Sequence, residues 1–229
     1  MLKKRLLLAV IIVVPMTLYM LSLIISGEVN FRTLTTMAPG PGHAESSIPS
    51  YSLTQSNGNT WTEDSLQGKV VIASFFFTSC PSICPAMNFH LKAVHDRMSA
   101  YKDVVFVSYT VDPLHDTPAV LANYKSELGV GDSDTWTFLT GDRELIYDMA
   151  TAYYLAASQD SSAEGGYSHS QSAVLIDWEG VMRTRIQDDG NPLGAYDISE
   201  AYLVDELIDD VRVLVKEYRK VKICLLYTS

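Results

Sequence analysis

A mixed α/β fold, one sheet covered by helices on both faces, is predicted together with an extra N-terminal β-hairpin and one transmembrane helix. Three observations carry that prediction. Strand-like and helix-like segments alternate through most of the chain, and short turn-bounded strand pairs bracket the alternation. Two thiols, Cys80 and Cys84, stand at the turn between the first core strand and the first helix, in Phe77-Thr78-Ser79-Cys80-Pro81-Ser82-Ile83-Cys84-Pro85. A dithiol after the first core strand makes a thioredoxin-like fold the natural assignment.

The N-terminus supplies the membrane segment. After Met1-Leu2-Lys3-Lys4-Arg5, the stretch from Leu6 to Ile25 holds no charged residue. About 20 apolar residues suffice to cross the hydrocarbon core once as a helix, and Pro15 kinks such a helix without disqualifying it. The basic residues stay cytoplasmic by the positive-inside rule, which puts everything after Gly27 on the outer side. A cleaved signal peptide is the alternative, but the stretch is long for its apolar core and no small-x-small cleavage site follows. Residues 1–26 are therefore read as a single-pass anchor in the inner (cytoplasmic) membrane, with the soluble domain on the periplasmic or outer side.

Residues 27–48, with Pro39-Gly40-Pro41-Gly42 and Glu45-Ser46-Ser47, read as a flexible tether. Residues 49–220 are long enough for one domain with a sizeable core, and no internal repeat is present. Its entrance is a hairpin, Tyr51 to Thr54 and Thr60 to Thr62 around Ser56-Asn57-Gly58. Val70 to Phe77 is a strand apolar on both faces. Met87, Leu91, Val94, Met98 and Tyr101 give a helix over Ala86 to Tyr101 one buried stripe. Val104 to Val111 is the second core strand. Asp116-Thr117-Pro118 opens a helix through Leu128, with Thr117 as N-cap and Pro118 at the first helical position. Thr135 to Leu139 is a short strand, and Arg143 to Tyr154 a helix. Ser172 to Asp177 and Val181 to Ile186 form a second hairpin about Trp178-Glu179-Gly180. Ile198 to Tyr218 is a closing helix with Leu203, Leu207, Val211, Leu214 and Tyr218 on one side. Residues 221–229 end in Cys224-Leu225-Leu226-Tyr227-Thr228-Ser229, which resembles translated sequencing-adapter read-through, so this tail is set apart from the domain and no function is built on Cys224.

With 17 basic and 27 acidic residues the chain carries a formal charge of −10. Part of the basic complement precedes the membrane segment, so the exported part is more acidic still. That balance argues against nucleic acid as a partner and welcomes a cationic partner or metal, although an acidic surface also serves solubility alone.

Thiols at a strand-to-helix turn sit where the helix dipole and free backbone N–H groups favour thiolate. Thiolate attacks disulfides and binds soft metals, so the site suits redox chemistry, metal capture or both. A structural disulfide across so short a loop removes little unfolded-state entropy. Of the five histidines, His43 lies in the tether, His90 and His95 flank the apolar stripe of the first helix, and His115 sits in a loop. His169 differs, because it lies in Gly165-Gly166-Tyr167-Ser168-His169-Ser170, just ahead of the strand ending Leu175-Ile176-Asp177. In a thioredoxin-like fold that loop faces the dithiol. Reductases of this fold usually place a proline about four residues before the leucine, where this chain has Gln171. A loop without the peptide-gripping proline but with a histidine fits a third metal ligand better than general disulfide exchange.

Four motifs in order then resemble the Sco/SenC family: the cysteine motif, Thr110-Val111-Asp112-Pro113-Leu114-His115-Asp116-Thr117, Trp136-Thr137-Phe138-Leu139-Thr140-Gly141, and His169-Ser170 before Leu175-Ile176-Asp177. The resemblance runs from about Ser52 to Tyr218. It implies a membrane-anchored, thioredoxin-like copper protein serving cytochrome c oxidase assembly, with Cys80, Cys84 and His169 as copper ligands. Where the family often has aspartate before the histidine, this chain has Ser168. Two thiolates and one imidazole suit Cu(I) and can also hold Cu(II), whereas structural zinc wants a fourth protein ligand. Asp112 and Asp116, at the same end of the sheet, are candidates for supporting the ligands or docking a partner, or are simply loop and helix-start residues. Met87 belongs to the core.

The expected function is a copper metallochaperone that takes copper from an upstream donor and delivers it to the CuA centre of an oxidase subunit. The alternative is a membrane-anchored thiol–disulfide oxidoreductase reducing the target's cysteines. Exchange needs only Cys80 and Cys84, while stable copper binding needs His169 as well.

Overall fold

The computed structural model describes residues 11–22, 33–38, 50–81, 83–131 and 133–228. The chain divides after Thr33 into two units. In the first, residues 11–22 are helical (α1) and exposed along their whole length. Among the described residues no helix is long and apolar enough to cross a membrane. The remainder of the predicted span, Leu6 to Val10 and Leu23 to Ile25, lies outside the described residues, as does His43.

The second unit is built on one nine-stranded sheet. Its centre is β4 (Val70–Phe76) and β5 (Val104–Thr110), two strands in which every residue is buried. They pair in parallel with Val70 opposite Val104. A parallel pair cannot be joined by a tight turn, and the connection is helix α2 (Ile83–Met98). The same unit repeats through α3 (Pro118–Glu127) to β6 (Trp136–Thr140), which is parallel to β5. Thr117 caps α3 through its side chain, as expected. Asp142 caps α4 (Arg143–Ala152) in the same way, its carboxylate accepting from Leu145 N–H at 2.9 Å.

Antiparallel strands complete the sheet on both sides. The entrance hairpin, β2 (Ser52–Gln55) and β3 (Thr60–Thr62), joins the edge of β6 through β2. On the other side β9 (Ser172–Ile176) runs antiparallel to β4, and β10 (Met182–Thr184) returns beside it as the second predicted hairpin. The two strands buried on both faces thus lie mid-sheet, where an apolar run without alternation belongs. Rings of Phe75, Phe76, Tyr109, Trp136 and Phe138 fill the core, each at most 1% exposed. Burying each such side chain contributes roughly 1.5–3 kcal/mol.

Several boundaries differ from the sequence expectation. Within the stretch assigned to the tether, β1 (Thr35–Met37) pairs antiparallel with β10, and Leu34 beside it is buried. The folded unit therefore includes Leu34 to Met37, while most of the rest of the tether lies outside the described residues. Helix α2 starts at Ile83, not Ala86, because Pro85 fits a first helical turn whose N–H groups have no intrahelical acceptor anyway. A two-stranded ribbon, β7 (Ala157–Gln159) with β8 (Tyr167–His169), occupies what was expected to be loop. A further strand, β11 (Tyr196–Asp197), pairs with β9.

The closing helix α5 (Val204–Thr228) begins later and ends later than its apolar period suggested. Ile198 lies outside it, buried, with its N–H donated to the Gln171 carbonyl at 2.9 Å. The helix continues through the predicted tail as far as Thr228. It packs against α2 and β4. The buried Asp210 on α5 accepts from Arg185 Nε at 2.7 Å and from Tyr196 O–H at 2.8 Å.

Candidate metal centre

The site forms where β4 gives way to α2. Leaving the sheet, Phe77 is still buried, and the chain turns through Thr78 and Ser79 into Cys80. Cys84 then occupies the first turn of α2, and its backbone N–H points at Cys80 Sγ, 3.5 Å away. Both cysteines are buried thiols, outside any disulfide, Cys80 at 7% exposure and Cys84 at 1%. His169 comes from the far end of β8 and lays its Nε2 2.9 Å from Cys84 Sγ. The ligand atoms of Cys80, Cys84 and His169 all lie within 4.8 Å of one another. The structure thus brings together the three residues singled out from the sequence.

The histidine is oriented as a ligand would be. Its Nδ1 lies 3.0 Å from the carbonyl oxygen of Ser170, which can only accept, so Nδ1 carries the proton. The Nε2 lone pair is then turned toward the sulfurs, the arrangement of a metal-binding imidazole whose other nitrogen is held by a backbone carbonyl. Burial lowers the His169 pKa and keeps the ring neutral. The sequence suggested that the helix terminus would favour thiolate, but burial dominates and pushes the Cys84 thiol far above its usual range. A cation that displaces the thiol protons resolves that conflict, since metal ligation requires the deprotonated form. The donor set, two sulfurs and one imidazole nitrogen with no carboxylate among them, fits a soft or borderline metal.

Asp112 and Asp116 are not members of the ligand cluster; each holds a neighbour of it. Asp116 is fully buried and accepts from the Thr78 backbone N–H at 3.0 Å. It also accepts from the hydroxyls of Thr78 and Thr110. It therefore ties the turn ahead of Cys80 to the end of β5. Asp112, 2% exposed, accepts from Tyr167 O–H and from His115 Nδ1, both at 2.7 Å. The Asp112 carboxylate raises the pKa of the exposed His115.

His90 and His95, the other described histidines, are structural. His90 Nδ1 meets the Ile198 carbonyl at 3.0 Å, and His95 Nε2 meets the hydroxyls of Ser133 and Thr135 at 3.0 Å. Met87 is buried in the core as expected.

Phe77, Gly165 and Tyr167 were not recognised as site residues from the sequence. The Phe77 ring sits 5.7 Å from that of His169 and 5.4 Å from that of Tyr167. The only local signal was Gly165-Gly166, which marks a turn with positive φ at both positions.

The family described as SCO1/SenC is matched over residues 40–203. A relative described as SCO1 protein homolog, from Bacillus subtilis, is 28% identical over 167 residues, covering 72% of this chain and 81% of its own. The crystal structure of a SCO1/SenC family lipoprotein from Bacillus anthracis is similar with a TM-score of 0.63 and 26% identity, over 74% of this chain and 95% of that one. Arabidopsis thaliana ScoI, solved with copper bound, is similar with a TM-score of 0.55 and 28% identity, over 72% of this chain and 97% of that one.

Proposed function

Because this chain belongs to the SCO1/SenC family, we propose that it is a copper metallochaperone that serves cytochrome c oxidase assembly and delivers its cargo to the CuA centre of an oxidase subunit. The observation that carries the reading is the convergence of Cys80, Cys84 and His169 within 4.8 Å. Two thiolates and an imidazole stabilise Cu(I), and the same set holds Cu(II) with strong thiolate character. The copper-bound relative supports the choice of metal. An upstream donor loads the site from outside the membrane, and the apolar stretch from Leu6 to Ile25 anchors the chain beside the membrane-bound target.

The residues divide the work. Cys80 and Cys84 surrender their protons as copper arrives, and the Nε2 lone pair of His169 completes the ligand set. The Asp116–Thr78 contacts hold the cysteine turn in place meanwhile. Transfer to the oxidase subunit needs ligand exchange at a rim, and Cys80 and His169 are both less buried than Cys84.

A second reading rests on the adjacent dithiol, in which the Cys84 backbone N–H meets Cys80 Sγ at 3.5 Å. The dithiol can reduce a disulfide in the target: Cys80 and Cys84 lose two electrons and two protons and become a disulfide, while the target's disulfide becomes two thiols.

Copper titration of the reduced protein tests both readings. One copper per chain is expected, with an intense thiolate-to-copper charge-transfer band in the Cu(II) form. Cys80→Ser or Cys84→Ser should abolish it, since an alcohol is a poor substitute for thiolate. His169→Ala should weaken copper binding by orders of magnitude yet leave disulfide exchange working. A His169→Ala variant that binds copper like the parent but loses exchange would put the oxidoreductase first.

A further inference from the structure

We propose that Tyr167 is a positioning residue for the metal centre, a latch that ties the strand bearing His169 to the end of β5 through the carboxylate of Asp112. The inference rests on the copper-site reading above and says what keeps the third ligand in place.

His169 does not lie in the main sheet. It ends a ribbon of two three-residue strands, β7 and β8, and a two-stranded ribbon of that length is marginal by itself in water. Little of its own burial holds it: Ser158 and Gln159 are exposed, and none of the three β8 residues is fully buried. The connection preceding β8 runs through Gly165 and Gly166, both at positive φ, where glycine adds conformational freedom. The position of His169 therefore depends on what fastens β8 to the body.

Tyr167 is that fastening. It precedes His169 by two residues on the same strand, so both side chains leave the same face, and both rings rest on Phe77. The Tyr167 hydroxyl donates to Asp112 Oδ1 at 2.7 Å. Asp112 is itself immobilised. Its backbone N–H is donated to Thr110 Oγ1 at 3.0 Å, its carbonyl receives the N–H groups of His115 and Asp116, and its second carboxylate oxygen meets His115. A phenol held on a buried carboxylate is a charge-assisted hydrogen bond, among the stronger polar contacts available. The chain Asp112–Tyr167–Phe77–His169 fixes the imidazole at a defined distance from the dithiol turn before any metal arrives. That preorganisation lowers the cost of assembling the site.

The test uses the full chain with Tyr167→Phe, which keeps the ring on Phe77 and removes only the hydroxyl, and Asp112→Asn, each made in the parent and in His169→Ala. Copper affinity is read by competition with a chromophoric chelator. Amide hydrogen exchange at Ser168 to Ser170 is read in the metal-free protein. Tyr167→Phe should weaken copper binding roughly tenfold to a hundredfold in the parent, the range expected for one hydrogen bond to a charged group. It should have no effect on copper binding in the His169→Ala background, where no imidazole remains to be positioned. Exchange at Ser168 to Ser170 should quicken by a similar factor. The two single changes together should do no more than either alone.

Equal losses in the parent and in His169→Ala would overturn the proposal, because the hydroxyl would then act on the dithiol or the fold at large. Unchanged exchange at Ser168 to Ser170 would overturn it as well. If the parent binds no copper, the metal reading fails by itself, and the exchange measurement still decides the latch.

Discussion

At φ +80° Gly165 sits in the left-handed region, and a Cβ built there would meet the Phe77 ring at 2.8 and 2.9 Å. Both penalties fall beside the site. Gly165→Ala strains the backbone by about 1–3 kcal/mol and pushes on the ring that carries Tyr167 and His169. Denaturant unfolding should show that loss, and copper affinity should fall in the same variant. An alanine as stable and as copper-avid as the parent would mean that the ribbon shifts freely and that Phe77 does not set its place. Asp116 makes the complementary point about single residues near the thiols. Its carboxylate has no contact with solvent, yet it serves three donors from Thr78 and Thr110. A buried charge is tolerable only with such partners, and their positions explain why a carboxylate that binds no metal stands beside a metal centre.

Among the elements, the three-residue strand β1 carries a testable role. It pairs with β10, Leu34 is buried behind it, and Arg183 donates to the Leu34 carbonyl at 3.0 Å while also meeting Asp177 and Glu217. A chain starting at Pro49, the boundary the sequence suggested, lacks the β1 pairing, the buried Leu34 and the Arg183 contact to its carbonyl, and frees one edge of the sheet. It should be less stable than one starting at Thr33 by roughly 2 kcal/mol, largely from the lost burial of the Leu34 side chain, and it should associate more readily; denaturation and sedimentation would check both. Equal stability would mean that β1 is incidental. The same strand shows why some elements were legible and others were not. Val70 to Phe76 and Val104 to Thr110 are mostly apolar runs without alternation, and Thr117-Pro118 announces its own helix start, so local pattern sufficed. Strands β1, β7, β8 and β11 have at most three residues each, too few for a period of two to show, and the partner of β1 is remote in sequence. The ligands were readable for a different reason: thiols after a core strand and a histidine before a later one define chemistry by position. The Tyr167–Asp112 contact that steadies them joins residues 55 positions apart, and nothing local to either residue marks it.

The whole molecule is strongly acidic, at −10 overall, and the anchor we propose is the part where charge is absent. Residues 11–22 are helical with apolar side chains exposed all round, including Ile11 at 61%, Met16 at 65% and Tyr19 at 64%. Such a helix has no polar face to offer water and suits lipid. At 1.5 Å per residue this stretch spans roughly 18 Å, short of the ~30 Å hydrocarbon core, so the anchor needs the flanking Leu6 to Val10 and Leu23 to Ile25. The proposed topology follows from Lys3, Lys4 and Arg5, which by the positive-inside rule favour a cytoplasmic N-terminus. A reporter fused behind Ser229, beyond the end of α5, should be active only on the outer side. The protein should stay with the membrane in alkaline carbonate and leave it only in detergent, and N-terminal sequencing should find Leu6 to Ile25 retained. A mature N-terminus beyond Ile25 would sink the anchor and make this a secreted domain. Its copper would then reach the oxidase by diffusion, at the mercy of salt and of its own negative charge, instead of along the membrane plane.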